Sequence, residues 1–101
     1  MRKAAKGDDN QTEVVKALRA AGATVTVTST AGKGFPDLCV GYRGLTYLLE
    51  VKDGSKPPSA QKLSQHQEKW HREWRGHACV VNSPEAALAA IGVIPIVGEI
   101  T

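Results

Sequence analysis

Residues 34–52, GFPDLCVGYRGLTYLLEVK, constrain the fold of this chain more than any other stretch. Two apolar runs, Leu38-Cys39-Val40 and the run through Leu48-Leu49, flank Tyr42-Arg43-Gly44, a turn signal of hairpin length. Side chains alternate along a strand, so Glu50 and Lys52 share one face while Leu49 and Val51 take the other. A hairpin returns the end of the second strand to the start of the first. Asp37, behind Pro36 at the head of the first run, is thereby carried toward Glu50 and Lys52. Two acids and a lysine at one end of a sheet suit metal-assisted chemistry on a phosphate.

A chain of 101 residues is long enough for one domain with a core of its own. Its 42% hydrophobic and 23% charged residues are ordinary for a soluble globular protein. No apolar run approaches the roughly 20 residues that span a bilayer, which argues against a membrane partner. The first ten residues, MRKAAKGDDN, carry basic groups without an apolar stretch behind them, so they do not form a secretory signal. Cys39 and Cys79 both lie in strand-like apolar runs and read as buried free thiols of a reducing, cytoplasmic compartment. A net charge of +3 and a pI near 9.0 are compatible with a nucleic-acid partner without demanding one.

In chain order, residues 1–7 read as a mobile basic arm. A helix is expected from Asp8 or Asp9 to about Ala21, closed by Gly22, with Val14, Leu18 and Ala21 at helical spacing. Asn10-x-x-Glu13 matches a capping box, which gives Glu13 a structural role at the helix start. Residues 23–29, ATVTVTS, alternate strictly and predict a strand with Val25 and Val27 buried. Gly32 and Gly34 then let the backbone approach a ligand, and Lys33 between them is either a solvated loop lysine or a phosphate contact.

Residues 53–58, DGSKPP, interrupt any ladder and form a loop. The next helix, starting near Ser64 and ending at Gly76, aligns Leu63, Gln67, Trp70 and Trp74 on one face. Gln67 is the polar exception in that stripe. Ser64-x-x-Gln67 matches a capping box, and the alternative is a helix face that turns Gln67 toward Glu50 and Lys52. Lys56 and Lys62, like Lys33, are candidate phosphate contacts. Residues 77–82, HACVVN, predict a buried strand. Ser83-Pro84-Glu85 opens a short alanine-rich helix that ends at Gly92, before an apolar tail suited to an edge strand or a subunit contact. The residues thus imply an α/β domain in the order α-β-β-β-α-β, followed by a short helix.

Phosphodiester hydrolysis needs a positioned water, neutralisation of charge on the phosphate, and help for the leaving oxygen. Asp37 and Glu50 suit hard oxygen coordination of Mg²⁺, and a lysine beside the metal orients the water or stabilises developing charge. The bland alternative leaves Glu50 and Lys52 as solvated strand charges. An E-x-K alone carries little weight, and Asp37 one hairpin away adds to it.

At this point the chain resembles a known family. Pro36-Asp37 followed by Glu50-Val51-Lys52 is the signature of the PD-(D/E)xK nucleases, and the wider pattern is similar to the small stand-alone VRR-NUC domains among them. The resemblance spans residues 8–91. It includes Gly34-Phe35-Pro36-Asp37-Leu38, Glu50-Val51-Lys52-Asp53-Gly54, Leu63-Ser64 with Gln67 and Trp70, and the Asn10-Gln11 to Glu13 helix start. It implies a restriction-endonuclease-like core, a mixed β-sheet flanked by helices. It further implies Asp37 and Glu50 as metal ligands joined by the Val51 carbonyl and Glu13, Lys52 as the catalytic lysine, and Gln67 as part of the active site. The implied cofactor is Mg²⁺ or Mn²⁺, with no organic group. The implied activity is that of an endonuclease resembling Holliday-junction resolvases, acting on branched DNA as a homodimer in the bacterial cytoplasm and encoded by a phage or prophage. A nuclease for flaps, nicks or single strands, and an inactive DNA-binding module, are the alternatives.

Overall fold

The computed structural model describes residues 5–93, with side chains from Asn10 onward. The chain runs through α1 (Ala5–Ala20), β1 (Thr24–Val27), β2 (Leu38–Tyr42), β3 (Leu45–Val51), α2 (Gln65–Glu73), β4 (Ala78–Val81) and α3 (Pro84–Ala90). Short 3-10 turns at Ser29–Ala31 and Pro58–Gln61 punctuate the loops before β2 and α2. This reproduces the α-β-β-β-α-β order expected from the sequence.

The hairpin is the centre of the molecule. β2 and β3 pair antiparallel from Leu38↔Leu49 to Tyr42↔Leu45, leaving Arg43 and Gly44 as a two-residue turn. Both turn residues have positive φ, 52° and 81°, the primed geometry whose twist matches the flanking strands. β1 adds antiparallel to β2, and β4 adds parallel to β3, giving the sheet order β1-β2-β3-β4. A parallel neighbour requires a crossover, and the segment that makes it carries α2.

The sheet separates two environments. Leu38, Val40, Leu49 and Val81 pack with Val14 and Leu18 of α1 and with Ala87 and Ile91 at α3, forming one continuous buried cluster. Leu18 and Leu49 are fully enclosed there, so truncating either to Ala should cost about 2–5 kcal/mol. Glu50, next to Leu49, points to the opposite face, where it meets α2. Apolar packing therefore fixes the register that presents the acid.

Several expectations are corrected. α1 already includes Ala5, so Asn10 and Glu13 lie inside the helix and the expected capping box at its start does not form. The helix also takes in residues 5–7 of the expected arm, whereas residues 1–4 lie outside the described part of the chain. β1 is shorter than expected and Val27 is 50% exposed, because an edge strand has a neighbour on one side only. β4 is likewise an edge strand, and Val80 is 43% exposed. α2 stops at Glu73 rather than at Gly76, because Trp74 turns to extended backbone and stacks its indole on Trp70. The apolar tail at 94–101 lies outside the described residues. Cys39 and Cys79 are free and half-buried. Among the described residues no helix is long and apolar enough to cross a membrane.

Candidate active site

Where β2 begins, Asp37 replaces the next rung of the ladder with its side chain. Its Oδ2 accepts the Val51 N–H at 2.9 Å, which ties the carboxylate to the end of β3. On the other side Lys52 N–H donates to Val81 O at 2.8 Å, extending the pairing with β4. Asn10 of α1 closes the arrangement by donating its amide to Lys52 O at 2.6 Å. The backbone of residues 51–52 is thus held from three directions. Fixed backbone is what a site needs to hold side chains within a few tenths of an ångström.

Glu50 and Lys52 leave β3 on the face away from the apolar core. Lys52 Nζ lies 3.6 Å from Glu50 Oε2, and both meet Gln67 of α2. Gln67 Nε2 donates to Glu50 Oε2 at 2.9 Å, and Gln67 Oε1 accepts Lys52 Nζ at 2.9 Å. The same Oε1 accepts Ser64 N–H at 2.9 Å, while Ser64 Oγ accepts Gln67 N–H at 3.2 Å. A complete capping box results. The two readings of Gln67 from sequence are therefore both realised by one side chain.

Close packing of a loop against α2 makes this possible. Gly34 has φ of 85°, and a side chain there would run into the carbonyl of His66. Phe35, the next residue, sets its ring edge against Trp70, with centroids 5.3 Å apart. A glycine without a side chain and an aromatic anchor together seat the first turn of α2 over the hairpin end.

Glu50 is 2% exposed. Burial, followed by the negative charge of Asp37, pushes its carboxyl up to about 7, against the opposing pull of Lys52. Glu50 Oε1 is buried and has no hydrogen-bond partner. Asp37 Oδ1 has only the Ser29 hydroxyl at 3.3 Å, and that hydroxyl's one proton is shared with Gln11 Oε1 at 3.3 Å. Two neighbouring carboxylates, each with an under-satisfied oxygen, are short of one positive charge. The hard oxygen donors fit Mg²⁺ or Mn²⁺, which bind through one or two carboxylates and keep water in the remaining positions.

The other residues singled out from sequence fall in different places. Glu13 is exposed and lines a cleft of about 610 Å³ with Asn10, Asp53, Ser55 and Asn82. Among the described residues no three His, Cys, Asp or Glu side chains gather, so Glu13 does not join Asp37 and Glu50 as a third carboxylate. Lys33 is exposed and lines a separate cleft against α2. Lys56 and Lys62 are exposed in the loop before α2, where Lys56 O accepts the Gln61 amide. Sequence reasoning missed the clamp made by Asn10, because it assigned that residue to a helix cap. It also missed His71, whose Nε2 is buried without a partner and whose pKa is lowered by burial and then by the charge of Lys52. The signal was present in the spacing, since His71 follows Gln67 by four residues and shares its helix face.

No family model matches the chain, and no curated protein matches it either. A solved structure described as a VRR_NUC domain does, with 29% identity, a TM-score of 0.62, and coverage of 85% of this chain and 94% of that one. The likeness takes in most of this chain and nearly the whole of the other. The topology, the Pro-Asp and Glu-x-Lys placement and this match agree: the chain has the restriction-endonuclease-like α/β fold and is similar to a VRR_NUC domain, which supports a nuclease of that kind.

Proposed function

We propose that this domain is a Mg²⁺- or Mn²⁺-dependent endonuclease that cuts branched DNA, resolving four-way junctions as a homodimer. The reading rests chiefly on the convergence of Asp37, Glu50, Lys52 and Gln67 at one end of the hairpin, with a buried acceptor left open on Glu50. Asp37 and Glu50 would hold the ion. The Val51 carbonyl is a further candidate, since a strand residue projects its N–H and C=O to the same side and the Val51 N–H faces Asp37. When bound, such an ion polarises phosphoryl oxygen and supplies water of lowered pKa.

The chain's own groups perform the remaining tasks. Lys52 keeps its ammonium beside the reacting phosphate, where it stabilises the negative charge that develops as the phosphorus–oxygen bond breaks. Gln67 holds that ammonium through Oε1 and at the same time fixes one oxygen of Glu50, so the lysine and the acid keep their relative positions. Glu13, across the cleft with Asn10, is assigned at most an outer role through water. Lys33, Lys56 and Lys62 are exposed on loops and would contact phosphates along the strand. Symmetrical cleavage of a junction needs two sites, which a twofold dimer supplies.

The test is cleavage of a synthetic four-way junction, a flap, a linear duplex and a single strand, with Mg²⁺, Mn²⁺ or chelator. Paired metal-dependent cuts in the junction, and a dimeric mass in solution, are expected. Cutting confined to flaps or single strands would keep the chemistry and replace the substrate. No cleavage of any substrate by folded, metal-supplied protein would leave a DNA-binding module.

A further inference from the structure

The loop before β2 and the outer side of α2 enclose a second feature that hydrolysis at Asp37 and Glu50 does not use. A cleft of about 320 Å³ lies between Lys33 on the loop and His66, Lys69, Trp70 and Glu73 on α2. The four helix residues recur at spacings of three, one and three, which makes them one stripe of the helix surface. His66 immediately precedes Gln67, so this stripe adjoins the face that reaches Glu50.

Three observations bear on what the cleft would hold. Trp70 is fixed in place, stacked on Trp74 at 4.6 Å and met by the edge of Phe35 at 5.3 Å, yet it still lines the opening. Lys33 has φ of 56°, between Gly32 at 77° and Gly34 at 85°. A residue with a side chain adopts that backbone at a cost, and the loop spends it to aim a lysine across at α2. Lys69 is paired with Glu73 at 3.1 Å, whereas no salt bridge engages Lys33 among the described residues. A rigid indole rimmed by Lys33, His66 and the Lys69–Glu73 pair matches a nucleotide, with its flat base on the ring and its phosphate at the lysines, better than it matches either an apolar or a purely anionic ligand.

We propose that this cleft binds one unpaired nucleotide of the DNA strand next to the cleaved bond, its base against Trp70 and its phosphate at Lys33 and Lys69. The inference rests on the nuclease reading for the identity of the strand. It adds a reason for preferring branched DNA. A base enters the cleft only by leaving its stack, and that costs least where pairing is already interrupted, at a flap or a branch point.

The experiment measures binding without cleavage, using fluorescence anisotropy with Ca²⁺ in place of Mg²⁺. The probe is a labelled flap substrate in which a single abasic nucleotide is moved stepwise along the strand. One position is expected to weaken binding by the wild-type protein roughly 5- to 150-fold, the range for a lost base–aromatic stack. Lys33→Ala should weaken binding and reduce the slope of log K against log salt by about one. In Trp70→Leu the abasic penalty at that position should disappear. Should that variant not fold, the smaller abasic penalty expected in Lys33→Ala gives the same coupling. Equal penalties at every abasic position, or Lys33→Ala binding like wild type, would overturn the proposal. Position-specific binding with no cleavage in Mg²⁺ would remove the nuclease reading and leave the cleft assigned, and cleavage without a position-specific penalty would do the reverse.

Discussion

Gln67 and Glu50 show what the site demands of single residues. Gln67 caps α2 and positions Lys52 and Glu50, so its alanine variant would confound a lost cap, worth about 1 kcal/mol, with a lost active-site contact. Gln67→Glu separates the two effects. Glutamate serves equally well in a capping box, yet it would set an acid 2.9 Å from Glu50 Oε2, where an amide now donates. The helix should keep its circular dichroism and thermal midpoint within a few degrees while cleavage falls by about tenfold or more. Glu50 carries a cost of its own. Its carboxyl titrates near 7 in the folded protein against 4.5 for a free glutamate, so the folded state holds more protons across that window. Its contribution to stability is therefore complete below pH 4.5 and is lost as pH rises through 7, by roughly 3 kcal/mol at most. In chelator, Glu50→Gln should be more stable than wild type at pH 8 and similar to it at pH 4, as read by thermal unfolding. Divalent metal should narrow the gap at pH 8 by stabilising the wild type.

At the scale of elements, the hairpin and both caps were legible because their signals are local. Arg43-Gly44 sits between apolar runs, Ser64 stands three residues before Gln67, and Ser83-Pro84 opens α3. The alternation of β3 placed Glu50 opposite Leu49, and the hairpin brought Asp37 to it. What sequence left hidden depends on contacts distant in the chain. Asn10 looks like a cap until α1 is seen to start earlier and to lay that amide on Lys52 O, 42 residues away. The exposure of Val27 and Val80 follows from their strands being edges, which alternation within a strand cannot reveal. The seat of α2 on Gly34 is of the same kind. Gly34→Ala would strain a positive φ and push the new methyl group into His66 O, lifting the first turn of α2 and drawing Gln67 from Lys52. Cleavage should fall by more than tenfold in this variant while the β-sheet signal in circular dichroism persists.

The whole molecule divides along the sheet. One face carries the continuous apolar core between the strands, α1 and α3, and the other receives α2 through Gln67, Phe35 and Trp70. Stability thus resides mainly on one side and the proposed chemistry on the other, as expected if the reacting side tolerates buried charge that the core would not. Because Gln67 ties α2 to Glu50 and Lys52, an ion that binds Asp37 and Glu50 should also steady the helix. Amide exchange across Gln65–Glu73 should slow on adding Mn²⁺ to wild type and stay unchanged in Glu50→Gln. The proposed role of Asp37 and Glu50 is to hold a divalent ion beside Lys52 for cleavage of DNA. Its most direct test is Mn²⁺ binding, followed by electron paramagnetic resonance, in parallel with DNA cleavage by wild type, Glu50→Gln and Lys52→Ala. Wild type should bind and cut, Glu50→Gln should do neither, and Lys52→Ala should bind the ion while cutting at least about 100-fold more slowly. Cleavage that persists in chelator, or in Glu50→Gln, would contradict it.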